Sequence, residues 1–195
     1  SPGVIQGVVG GDEIPIRRNL VARAFDVVHA DGSLGFGIVE KRHKLKAEFA
    51  DHTGPQLVEL KKKGIDIHRH IEVPLVVYCG DTAAGDFLNL DYVRQAEIIF
   101  LECTFFVAEH VSRARAGRHI HARDLPGILR RLANPNVVLT HLTRRTGIRE
   151  AKAILHNVIP AADRERVSIL MDRPHRRNAP PRGQRTGELH RPPIR

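Results

Sequence analysis

The chain has 195 residues, of which 42% are hydrophobic and 27% charged, a composition that excludes a disordered or fibrous protein and predicts one globular domain. Lys and Arg total 31 against 22 Asp and Glu, a net charge of +9; the last 23 residues hold seven Arg and one Glu, so residues 1–172 keep only +3. No apolar run approaches the roughly 20 residues a membrane helix needs, so no membrane partner is expected.

Ser1-Pro2-Gly3-Val4-Ile5 lacks the basic and apolar regions of a signal peptide. Cys79 and Cys103 stand in apolar surroundings and cannot make a disulfide framework, so a reducing cytoplasm is the expected location. Leu20 to Val28 reads as a strand with Val21, Arg23, Phe25 and Val27 on one face. A turn at residues 29–33 then leads into Leu34 to Val39, which predicts a hairpin. Gly54 to Lys63, stopped by Gly64, is the first predicted helix. From Leu75 onward short apolar runs alternate with helical patterns. The runs are 74–80, 97–101, 136–140 and 167–171; the helices are Ala122 to Leu132, with Pro126 tolerable only in the first turn, and Ile148 to Val158. This alternation predicts a mainly parallel sheet covered by helices. Residues 173–195, rich in Pro and Arg, form a predicted flexible tail, either a phosphate-binding extension or a merely solvated one.

Three of these strands hand over to a titratable side chain, Asp81, Glu102 and His141, and His29 ends the earlier strand. Ligands of parallel α/β sheets bind beyond the carboxyl ends of the strands, where residues distant in sequence converge. Imidazole and carboxylate together are the ligand set of zinc and related divalent ions, although strand ends are also polar because they are solvated.

The segments Ala24-Phe25, His29, Ser33-Leu34-Gly35-Phe36, Tyr78-Cys79-Gly80-Asp81-Thr82, Glu102-Cys103-Thr104-Phe105 and Leu139 to Arg145 occur in this order. Together they resemble the motifs of the ribonuclease Z branch of the metallo-β-lactamase superfamily, from about Val21 to Asp172. The resemblance implies an α/β fold, the αββα sandwich, and a metal-dependent phosphodiesterase that trims the 3′ end of precursor tRNA. It implies His29 and His141 as ligands of two different divalent ions, zinc being expected, with Asp81 bridging both. Glu102 matches the acidic residue that orients a proton-donating histidine. The spacing to His141 favours His119 for that role, with His121 the alternative. Arg145 matches the arginine of a phosphate-contacting His-x-Ser-x-Arg-Tyr motif, from which the chain departs with Thr143 for Ser and Thr146 for Tyr; Arg145 and Thr143 are the candidate substrate contacts. Lys41, Arg42, Lys44, Lys46 and Lys61 to Lys63 are candidate RNA-backbone contacts or simply a solvated face.

The family's His-x-His-x-Asp-His loop is absent, since His68-Arg69-His70 lacks the Asp-His that would follow. The chain therefore reads as the C-terminal portion of the sandwich, with residues 1–172 a partial domain. Three ligands across two ions predict weak metal binding and little catalysis by the chain alone. Three explanations follow: a fragment of a longer hydrolase, of RNA or of a small ester; a non-catalytic relative that binds RNA; or a half-domain completed by another chain. A homodimer is a further possibility, because a missing half leaves an apolar sheet face uncovered.

Overall fold

A computed structural model of the chain describes residues 7–143 and 145–170; the basic tail at 173–195, the end of the last apolar run at Met171 and Asp172, and Arg144 lie outside the described residues. Seven strands form one sheet whose spatial order is the chain order: β1 (Glu13–Arg17), β2 (Leu20–Asp26), β3 (Leu34–Leu45), β4 (His68–Tyr78), β5 (Ile98–Glu102), β6 (Asn136–Thr140) and β7 (Val167–Ile169). The helices are α1 (Gly54–Lys62), α2 (Asp91–Arg94), α3 (Val111–Gly117), α4 (Leu125–Leu129) and α5 (Ile148–Val158). None of them is long and apolar enough to cross a membrane.

The sheet corrects the expectation of mainly parallel pairing. β1 to β4 are joined antiparallel, and only β4 to β7 run parallel. Helical crossovers begin only after β4, which is why the apolar-run-and-helix pattern starts there. The hairpin also runs further than predicted. β3 continues past Val39 to Leu45 and pairs with His68 to Pro74, so β4 starts six residues before the apolar run. Pro74 lies at a register shift, where Ile38 faces Val76 but Val39 faces Pro74; this bulge lets a residue without an N–H stand inside the strand. The outer part of β3 and β4 is an arm that carries α1, a helix with no buried residue, started by the Thr53 N–H donating to Gln56 Oε1 at 2.8 Å and ended by Gly64 in the left-handed region at φ +76°. Pro126 stands in the first turn of α4, and the predicted helix 122–132 resolves into a 3₁₀ turn at Ala122–Asp124 followed by this short α4.

Alternation along the strands separates two faces. Val77, Ile99, Leu101, Val137 and Leu139 are fully buried against Leu88, Val93, Leu125, Ile128, Leu129, Ala151 and Leu155 of the helical layer. Phe25 joins this core, stacked on Phe87 at 5.6 Å, and only a glycine at 35 permits it: a Cβ there would stand 2.3 Å from the Phe25 ring. The other face carries two cross-strand rows, Phe36-Tyr78-Phe100-Val138 and Ile38-Val76-Ile98. None of these seven side chains belongs to the core cluster, and Tyr78 is 53% exposed. One helical layer and one sheet make half of an αββα sandwich, as expected for its C-terminal part.

Candidate metal centre at the strand ends

The carboxyl ends of β2, β4, β5 and β6 bring together residues that lie up to 112 positions apart, His29 being the first and His141 the last. At the base lies Glu102, fully buried, with its carboxylate fully used as an acceptor. Oε1 receives the Thr82 N–H at 3.1 Å and His119 Nδ1 at 2.7 Å; Oε2 receives the Thr104 N–H at 3.0 Å and the Thr104 hydroxyl at 2.9 Å. A buried carboxylate needs such a complement to offset its desolvation.

The same network fixes how the histidines stand. Because the Thr104 hydroxyl has a single proton and gives it to Glu102, His141 Nδ1, 2.8 Å from that oxygen, is the donor in their contact. His119 and His141 thus both spend Nδ1 on the base and keep Nε2 on the far side of the ring. Their rings stack at 5.4 Å with an interplanar angle of 28°, and His29 approaches His119 at 4.9 Å. His141 holds this position with φ +56°, a left-handed conformation costly for a residue with a Cβ and typical of functional sites.

Asp81 follows the turn at Gly80, whose φ of +65° suits glycine, and places Oδ1 3.4 Å from His141 Nδ1. Next to it Thr82 ties two loops together: its hydroxyl accepts the Val28 N–H at 2.9 Å and donates to the Ala83 carbonyl at 2.7 Å. His29 is held from the other side, its carbonyl accepting from the Arg118 guanidinium and its Nδ1 lying 3.4 Å from the Arg118 carbonyl. Arg118 is itself left-handed at φ +53°, closing α3 and turning the chain so that His119 enters the centre. Exposure grades from 0% at Glu102 and 16% at His119 to 39% at Asp81 and 49% at His141, giving a sealed base and an open mouth.

His29, Asp81 and His119 each offer a donor atom within 4.8 Å of the others, and so do Glu102, His119 and His141. The second group is not free to bind, since its carboxylate oxygens are already occupied by four donors. The open donors are the Asp81 carboxylate and the imidazoles around it, a set that fits a divalent cation of the zinc class. His121 stands apart from them: it is buried, its Nε2 lies 2.9 Å from the Val107 carbonyl and its Nδ1 accepts the Arg123 N–H at 3.1 Å. Thr143 reaches the rim, its N–H bonded to the Thr104 carbonyl at 3.1 Å, and Arg145 is exposed just beyond it. Thr82, Thr104 and Arg118 hold the centre together without having stood out in the sequence. The only trace of the first two is their place in the Gly80-Asp81-Thr82 and Glu102-Cys103-Thr104 segments. Burial, reinforced by the charge of Glu102, raises the Cys79 and Cys103 thiols far above their usual range, so both remain neutral core residues.

No protein-family model matches the chain. It is 30% identical over 144 residues to tRNase Z TRZ1 of Arabidopsis thaliana, an alignment covering 72% of this chain and 51% of that protein. To the chloroplastic tRNase Z TRZ2 of the same plant it is 30% identical over 149 residues, covering 73% and 41%. Among solved structures, the metallo-β-lactamase fold protein YhfI from Bacillus subtilis superposes with a TM-score of 0.52 at 13% identity, over 84% of this chain and 51% of that one, a likeness of fold. The chain spans about half the length of the curated relatives it matches.

Proposed function

Because the chain belongs to the ribonuclease Z-like branch of the metallo-β-lactamase fold, we propose that it is the C-terminal half of a metal-dependent phosphodiesterase that cleaves precursor tRNA near its 3′ end, at work in the cytoplasm. The observation that carries this reading is the gathering of His29, Asp81, His119 and His141 above the buried Glu102. His29 and His141 would each hold one of two divalent ions, zinc in the first instance, with Asp81 shared between them. Such cations supply charge neutralisation at a phosphodiester undergoing cleavage.

The protein's own groups do the rest. Glu102 fixes His119 through Nδ1 and leaves Nε2 to deliver a proton to the departing oxygen. Thr143 and the exposed guanidinium of Arg145 meet phosphate at the rim. Lys41, Arg42, Lys44 and Lys46 on the arm, with Lys61 to Lys63 at the end of α1, would follow the RNA backbone. Two imidazoles and one carboxylate leave two ions under-coordinated. The two uncovered apolar rows are the face on which a completing half, in the same polypeptide or another, would pack its sheet and bring the remaining ligands.

Manganese(II) binding, read by electron paramagnetic resonance, should be weak in the 195-residue chain and weaker still after Asp81→Ala. Mixed with a half that contains the His-x-His-x-Asp-His loop, the chain should gain metal-dependent cleavage of a 3′-extended tRNA, lost with Asp81→Ala. Cleavage or manganese affinity indifferent to that substitution would refute the ligand assignment.

A further inference from the structure

His68-Arg69-His70, which lacks the sequel of a family metal loop, has no part in the centre at the strand ends. His70 lies eight residues before Tyr78, about 26 Å along β4 at a rise of 3.3 Å per residue. Residues two apart on a strand share a face, so His68 and His70 point to one side of the arm. His43 of β3 is the direct cross-strand partner of His70 and stands diagonally from His68, which faces Leu45. Its ring centroid lies 4.5 Å from that of His70 and 6.4 Å from that of His68.

The arm's charges are divided between its faces. Arg42, Lys44 and Arg69 occupy the alternate positions and so point to the other side. On the imidazole side the flanking pair is Lys41 and Glu72, and each is already engaged, Lys41 by Glu13 and Glu72 by Arg23. At the far end Asp66 holds the start of β4, its Oδ1 accepting the His68 N–H at 3.0 Å while its Oδ2 lies 3.8 Å from Lys46 Nζ. Three imidazoles thus meet on one face with no unpaired cation of their own face adjoining them among the described residues. His43 and His70 are exposed and His68 half-buried, which leaves their rings free to adopt other rotamers.

We propose that His43, His68 and His70 form a second metal site, on the β3–β4 arm, that takes a borderline cation of the zinc or copper(II) type and clips the two strands together. An all-imidazole set selects such ions over magnesium or manganese, which prefer oxygen ligands. The site is independent of the centre at the strand ends. It adds a cross-link on an arm whose helix α1 has no buried residue and whose fully buried apolar side chain is Ile67.

The test uses the 195-residue chain carrying His29→Ala, Asp81→Ala and His141→Ala, which removes the donors assigned above to the strand-end centre. Copper(II) should give a paramagnetic resonance spectrum with nitrogen couplings from imidazole, and zinc should be held at one ion per chain in competition with a chelator. His43→Asn or His70→Asn, both at exposed positions, should weaken zinc binding by at least about tenfold, because each removes one of three ligands. Zinc affinity unchanged in both variants, no zinc binding, or a copper spectrum without nitrogen couplings would overturn the proposal.

Discussion

Replacing Glu102 by Gln keeps the shape of the side chain and exchanges one acceptor oxygen for a donor NH2. Every neighbour of that carboxylate is a donor: two backbone N–H groups, the Thr104 hydroxyl and His119 Nδ1. In one amide orientation the NH2 faces the Thr82 N–H and His119; in the other it faces the Thr104 N–H and hydroxyl. His119 or Thr104 can adapt by exchanging donor for acceptor, but a backbone N–H cannot, so one buried N–H loses its partner in either orientation. That loss costs about 1–3 kcal/mol, and the bonds that remain lose their charge assistance, for a total of about 2–4 kcal/mol. Urea denaturation measures the total. Nitrogen-15 shifts of the histidine rings report the second consequence, a change of His119 tautomer if the amide donates to Nδ1. A stability loss below about 1 kcal/mol, with normal histidine shifts, would mean that Glu102 is not the acceptor hub described above.

Gly35→Ala should lower the melting temperature by about 2–10 °C, because the added methyl would stand 2.3 Å from the buried Phe25 ring and force it off its stack on Phe87; calorimetry showing no change would refute that constraint. Hydrogen bonds from Lys41 and Arg23 hold the Glu13 and Glu72 carboxyls below their usual range. Their stabilisation is therefore complete above the ordinary carboxylate pKa and disappears as acid protonates the folded state, by less than about 1 kcal/mol since solvent screens the pairs. Urea midpoints measured from pH 7 to pH 3 should fall less steeply in Glu72→Gln.

The parts of the fold that could be read in advance are those where burial on one face writes a period into the sequence. α5 starts and stops where its apolar spacing predicts, and the strands that lead to Asp81, Glu102 and His141 are the ones marked by clear apolar runs. The outer arm gave no such signal because no residue from Lys41 to Lys46 or from His68 to Glu72 is fully buried, so these stretches show no apolar alternation. β1 was hidden by Pro15, acceptable only on an edge strand, and by the exposure of nearly every residue in it. At the centre, the strand ends and the resemblance pointed to His29, Asp81, Glu102, His119 and His141, but the contacts of Thr82, Thr104 and Arg118 that hold them were not legible. The hydrogen bond from Thr82 to Glu102 spans twenty residues, and the separation of His119 from His121 is decided by one left-handed residue, Arg118, that no propensity foretells.

A sheet whose strands stand in chain order needs no later strand to be threaded between earlier ones. During synthesis each new strand meets a partner that has already left the ribosome, and the three antiparallel connections can form before the slower parallel crossovers. His141 leaves last among the clustered residues, after His29, Asp81, Glu102 and His119, so this cluster of titratable side chains is gathered only when the sixth strand docks. A nascent chain stalled before that point would present a sheet whose strand ends lack His141.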